Sequence, residues 1–245
     1  MNSNKKAGKL VGILFILAAV TAVIGLLLYD SILNEPDYLI QGSEHANRVI
    51  LGAVMELILI VSVVGTAMTM FPFLKLYNET IALWHVGFRF LEAVVIIIGI
   101  ISILSLLTLS REYVAGGAPD IALYEASGTL LKAIHEWTFL MGPNFMLGIN
   151  TMMYSFIFYK SKLVPRFIPI LGMIGATLIL ICAFLVMFGV IQQISIFGGL
   201  LALPIAANEM ILAIWLIVKG FNESAIDSLS AKRRYKEFSL SEFEC

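Results

Sequence analysis

The stretch Trp84–Ala93, WHVGFRFLEA, runs straight into Val94–Leu109, VVIIIGIISILSLLTL, and these 26 residues decide the class of the protein. Sixteen residues without a charge follow a segment in which His85, Arg89 and Glu92 are spaced i, i+4, i+7. On a helix those three fall within about 60° of one face. An apolar helix this long has the length to cross a ~30 Å hydrocarbon core. Ionisable groups inside such a helix are costly and face a bundle interior or a water-filled cavity.

Composition agrees with that reading. Of 245 residues 60 % are hydrophobic and only 13 % charged. Soluble domains carry roughly 25 % charged residues, so this chain lacks the polar surface to cover itself in water. Apolar runs define six spans, at 10–29, 49–71, 84–109, 134–158, 167–189 and 196–218. Runs of this length are helices and not barrel strands, because only helices and closed barrels satisfy the backbone in lipid. The expected fold is an all-α bundle of six transmembrane helices over residues 1–221. A basic tail over 222–245 contains AIDSLSAKRRYKEF, read either as an amphipathic helix on the membrane surface or as a solvated tail. Lys5, Lys6 and Lys9 precede the first run, but that run exceeds a signal-peptide core and no A-x-A site follows it. It reads as an uncleaved span.

Orientation follows from the basic residues. Of 16 Lys and Arg, twelve fall on the side of the termini and three (Arg48, Arg111, Lys132) on the other, Arg89 lying within a span. Both termini are therefore expected in the cytoplasm. The opposite loops carry Glu35, Asp37, Glu44, Glu112, Asp120 and Glu125, with a turn at Gly116, Gly117 and Pro119. Tyr29, Tyr113, Trp137, Tyr159 and Trp215 lie near span ends, where amphipathic rings anchor at interfaces. Gly8-x-x-x-Gly12 and Gly172-x-x-x-Ala176 permit close helix approach. Asn144, Gly148, Thr151 and Ser155 form a polar stripe on the fourth span, and Pro143 and Pro204 favour kinks.

Six span positions need a chemical account: Glu56, Arg89, Glu92, Asn144, Asn150 and Glu209. At ~1.5 Å per residue, Arg89 lies roughly 12 Å, Glu92 roughly 16 Å, Asn150 roughly 12 Å and Glu209 roughly 14 Å from the cytoplasmic end of their spans. These four form one layer, with Glu56 and Asn144 higher at roughly 21–23 Å. Arg89 is expected to pair with Glu92, Glu209 or both. One arginine cannot neutralise three carboxylates, and a carboxyl without a partner in low dielectric favours its neutral form. That arithmetic supports a ligand site, coupled to protons or cations. The competing reading makes the same groups interhelical contacts that fix register. Arg89 could also snorkel to the cytoplasmic face. His85 reads as interfacial, and His135-Glu136 as a solvated pair at the outer rim.

Several chemistries find no support in the sequence. HEWTF at 135–139 lacks the second histidine of H-E-x-x-H. His85 and His135 lie at opposite depths and cannot share a haem or a metal. No lysine lies inside a span, so a retinal Schiff base has no place. There is no Walker A loop or G-x-S-x-G elbow. The two cysteines, Cys182 and Cys245, give neither a disulfide framework nor metal spacing. No cofactor and no nucleic-acid partner is called for; the bilayer is the expected surrounding. Enzymatic activity is the least supported class. The two standing readings are a protein that binds or transports a small polar or anionic ligand, and a non-catalytic scaffold or regulatory subunit.

FRFLEA at 88–93, YKSKLVPRFIPILGMIGA at 159–176 and LPIAANEMILAIWLIVKGF at 203–221 together resemble a bacterial membrane family known as domain of unknown function 4386. Its motifs here are Arg89-x-x-Glu92, Pro165-Arg166 after a basic loop, and Glu209 followed by Trp215 and Lys219-Gly220. The resemblance covers roughly residues 8–221 and implies a multi-pass protein of the bacterial inner membrane. It implies no activity.

Overall fold

A computed structural model describes residues 3–116 and 121–243, with side chains described to residue 235. Gly117 and Pro119 of the expected turn, the loop acid Asp120, and Cys245 lie outside the described residues. Within them every regular element is helical: α1 (Ser3–Leu28), α2 (Asp30–Leu33), α3 (Tyr38–Glu44), α4 (Ala46–Leu74), α5 (Glu79–Ala115), α6 (Ile121–Phe139), a π-helical segment (Leu140–Met146), α7 (Leu147–Ser161), α8 (Phe167–Met187), α9 (Ile196–Val218) and α10 (Glu223–Phe243). Five of these, α1, α4, α5, α8 and α9, are long and apolar enough to cross a membrane. The expected fourth span, 134–158, instead falls on the three-part stretch α6–π–α7, which Pro143 divides. Proline has no N–H to give and crowds the carbonyl four residues earlier, at Phe139. The chain accommodates this by widening into π turns rather than ending the helix. Pro204 leaves α9 continuous.

Local chemistry sets the helix starts. Asn78 caps α5, its side chain accepting from the Ile81 N–H at 3.0 Å, with Glu79 in the first turn. Ser195 caps α9 in the same way through the Gly198 N–H at 3.1 Å. At 37 residues α5 spans roughly 55 Å and reaches beyond the apolar layer at both ends.

Around the bundle the order is α1, α4, α5, α6–π–α7, α8, α9 and back to α1. Glycine seams close this ring. A Cβ on Gly12 would lie 2.5 Å from the Ala213 carbonyl oxygen, so α1 and α9 touch backbone to backbone. Between α8 and α9, a Cβ on Gly175 would lie 2.6 Å from the Ile205 nitrogen. The close approaches expected of Gly8-x-x-x-Gly12 and Gly172-x-x-x-Ala176 are therefore present, and Gly175, inside the second motif, brings α8 against the α9 backbone.

The outward faces are apolar. Val61, Met68, Ile101, Ile174, Leu203 and Ile214 are each more than half exposed, on four different helices. Buried polar and charged residues sit inside: Arg89, Glu92, Asn150, Thr151 and Asn208. Apolar outside and polar inside is the reverse of a protein dissolved in water. The tail is not wholly solvated. Ile226 is buried in the core near Phe221, and the Arg233 guanidinium reaches a Glu79 carboxylate oxygen at 2.7 Å.

Candidate functional site

The centre of the ring is built on α5. One turn separates Arg89 from Glu92, and an Arg89 Nη donates to both Glu92 carboxylate oxygens, at 3.1 and 3.2 Å. The other Nη lies 3.6 Å from a Glu209 oxygen on α9. The Asn150 amide, on α7, donates to the second Glu92 oxygen at 2.9 Å. Arg89 thus pairs with both expected partners, and the predicted layer of Arg89, Glu92, Asn150 and Glu209 is assembled from three helices. Arg89 is 3 % exposed, so it does not snorkel to a surface.

Glu56 joins them from α4. Its carboxylate accepts the Tyr29 hydroxyl at 2.9 Å. Rise per residue places Glu56 higher than the layer, yet Glu56, Arg89, Glu92 and Glu209 all line one cavity of about 230 Å³. Its space comes from α1. Ala18, Ala19 and Ala22 face it where larger residues would fill it, while Phe15 below is 2 % exposed and packs edge-on against Tyr154, with ring centroids 6.3 Å apart. The opposite wall is Phe139, Pro143 and Leu147, spaced four apart along the π-helical region. Such π distortions recur at functional sites because they re-aim side chains.

A second cavity, about 490 Å³, opens beyond it toward the α2 and α8–α9 loops. It is lined by Asn34, His135, Glu136, Trp137, Gln192 and Gln193 among others. Leu26 and Phe139 line both cavities and form the wall between them.

On the terminal side of the layer the interior is packed. His85 is 1 % exposed and sits edge-on to Tyr154 at 5.8 Å. The Asn208 amide donates to the Tyr154 hydroxyl at 3.0 Å. Ser155 and Asn208 converge on Gly172, where a Cβ would collide with the Ser155 hydroxyl.

These positions correct three sequence expectations. His85 is not interfacial, because α5 begins at Glu79 and carries it one and a half turns inside, under α7. His135 is buried against Tyr29, with centroids 5.8 Å apart, and only its neighbour Glu136 is exposed. Tyr29 is not an interface anchor. It is fully buried, its ring pressed on Gly52, where a Cβ would lie 2.6 Å from Cε1. Asn144 is half-buried in the π-helical segment and is not one of the cavity's lining residues. Tyr29, Tyr154 and Asn208 were missed as members of the polar interior. Asn208 adjoins Glu209, and Tyr154 lies four residues after Asn150; those spacings were the available signals.

The arrangement supplies carboxylates in excess of cations around a small apolar-walled space. It can hold and neutralise a positive or hydrogen-bonding group. No curated protein and no solved structure matches the chain. The model of one family, domain of unknown function DUF4386, matches residues 10–220, and the chain belongs to that family.

Proposed function

We propose that the protein binds or transports a small polar solute in the cavity at Glu56, Arg89, Glu92 and Glu209. In this reading α6–π–α7 is the fourth of six membrane spans, and the strong Lys and Arg bias puts both termini in the cytoplasm. The membrane is the cytoplasmic membrane of a bacterium, as the family resemblance implies. The solute arrives from outside through the 490 Å³ vestibule and passes Leu26 and Phe139.

The observation that carries this is the charge count of the cavity among the described residues: three carboxylates, one arginine. Arg89 already faces two of them. It has little attraction left for an anion, so a small cation or neutral donor is favoured over the anionic ligand. Glu56, bonded among the described residues to a phenol alone, and Glu209, at the longer contact, are the groups available to meet it. The volume is below the roughly 300–1,000 Å³ of drug-sized sites, which restricts the solute to a small one. Arg89, Glu92 and Asn150 act as the fixed floor.

A scaffold is the second reading, favoured by the packed seam below the layer. Binding of radiolabelled tetramethylammonium and acetate to the purified full chain separates the two. The transport reading expects tetramethylammonium to bind, acetate not to, and Glu56→Gln and Glu209→Gln each to weaken binding without loss of folded protein. Tighter acetate binding would overturn the cation preference; no binding of either would leave the scaffold standing.

A further inference from the structure

At the end of the bundle that holds both termini, the α7–α8 turn and the α9–α10 turn meet around a groove of about 410 Å³. Its floor is apolar, with Leu163, Val164 and Phe221 all buried. Its rim carries Lys162, Arg166 and Lys219, and among the described residues no carboxylate lines it. Among the described residues none of these three bases has an ion pair. The Arg166 guanidinium lies 5.3 Å over the Tyr159 ring, which holds it in place.

The two turns are tied together. The Asn222 N–H donates to the Leu163 carbonyl at 2.9 Å, and the Asn222 amide to the Lys162 carbonyl at 3.3 Å. Lys162 and Gly220 each take a left-handed backbone, φ 58° and 75°, which turns the chain back on itself at both sides of the groove. The bases therefore project from a fixed frame and not from a loose tail.

One wall of the groove is Trp215, half-buried. Beyond it the outward faces of α8 and α9 continue as apolar surface, with Phe167, Ile214 and Val218 each more than half exposed. Three cations at the water end of an apolar strip match the chemistry of a lipid with a negative headgroup. Basic pockets between helices on the cytoplasmic side are suited to such headgroups.

We infer that this groove binds the headgroup phosphate of an anionic phospholipid, with Lys162, Arg166 and Lys219 on the phosphate and the acyl chains along Trp215 and Val218. The inference needs the chain to lie in a bilayer; it does not need the central cavity to bind anything.

Native mass spectrometry of the full chain in detergent tests it, with phosphatidylglycerol, phosphatidylcholine and inorganic phosphate as probes. The combined Lys162→Gln, Arg166→Gln, Lys219→Gln variant is compared with Lys6→Gln, Lys232→Gln, Arg234→Gln, which removes equal charge at the same end. Phosphatidylglycerol should stay bound one to one and phosphatidylcholine should not. The groove variant should bind it at least about tenfold more weakly, and the control within about twofold of the unaltered chain. If the triple variant does not fold, Lys219→Gln alone, with the same lipid competition, carries the test. Equal weakening in the control would overturn the site in favour of diffuse surface charge. Displacement by inorganic phosphate would make it a free-phosphate site, and equal retention of phosphatidylcholine would remove the role of charge.

Discussion

The two halves of the interior, on either side of the Arg89 layer, share α1, α5 and α9 and differ in what α1 contributes. On the terminal side α1 offers Val11 and Phe15, both buried, and Phe15 meets Tyr154. There the polar groups of α5, α7 and α9 are pressed against one another: His85 on Tyr154, Asn208 on Tyr154, Ser155 beside Gly172. On the loop side α1 offers Ala18, Ala19 and Ala22, and a cavity opens at Glu56 and Glu209. The polar content is alike; the volume is not. A few side chains of α1 decide that one half is a sealed seam and the other a space that a solute can fill.

Breaking the layer shared by the two halves has the largest effect. Arg89→Leu leaves buried Glu92 and half-buried Glu209 without a cation, and removal of one partner of a buried pair costs about 3–5 kcal/mol. We expect a large drop in folded yield and in the unfolding temperature in detergent, read by size exclusion and thermal denaturation. Gly12→Leu attacks the ring next. Its side chain must enter the Ala213 carbonyl and Ile217, an overpacking cost of about 1–3 kcal/mol that loosens α1 from α9 and erases the difference between the halves. Thermal denaturation checks it, and Ala213→Gly should not rescue it, because the clash is with backbone oxygen. Tyr29→Phe acts on the loop half alone. It takes the Tyr29 hydrogen bond from Glu56, at about 1–2 kcal/mol, and should raise the protein's dependence on cations for stability. The smallest stability change is Ala22→Leu, which fills the cavity at a cost of less than about 1 kcal/mol. It should still abolish tetramethylammonium binding while leaving the seam intact.

The helices were legible because apolar runs of 20 residues have one solution in lipid. So was the layer: rise per residue put Arg89, Glu92, Asn150 and Glu209 at one depth, and charge paired them. What escaped was rotation about each helix axis. Depth arithmetic says how far along a helix a residue lies, not which neighbour it faces. Tyr29 was read as an anchor from its place at a span end, but Gly52 leaves a notch that draws the ring inward. His85 was read as interfacial because α5 starts earlier than its apolar run, at the Asn78 cap. The division of the fourth span at Pro143 was signalled by the proline, yet proline alone does not distinguish a kink from π turns. The cavity was not legible either, since three alanines on one face of α1 read equally as a packing surface.

In the function proposed, the loop half holds a negatively charged space reached from the outer side. A single cysteine at Ala22, in a background with Cys182→Ala and Cys245→Ser, reports on it directly. Intact spheroplasts are treated with two membrane-impermeant methanethiosulfonates of similar size, one ending in trimethylammonium and one in sulfonate. Ala22→Cys should be labelled by both, with the cationic reagent at least about tenfold faster, and the ratio should shrink toward one when Glu56→Gln and Glu209→Gln are added. No labelling by either reagent, or faster labelling by the sulfonate, would contradict it.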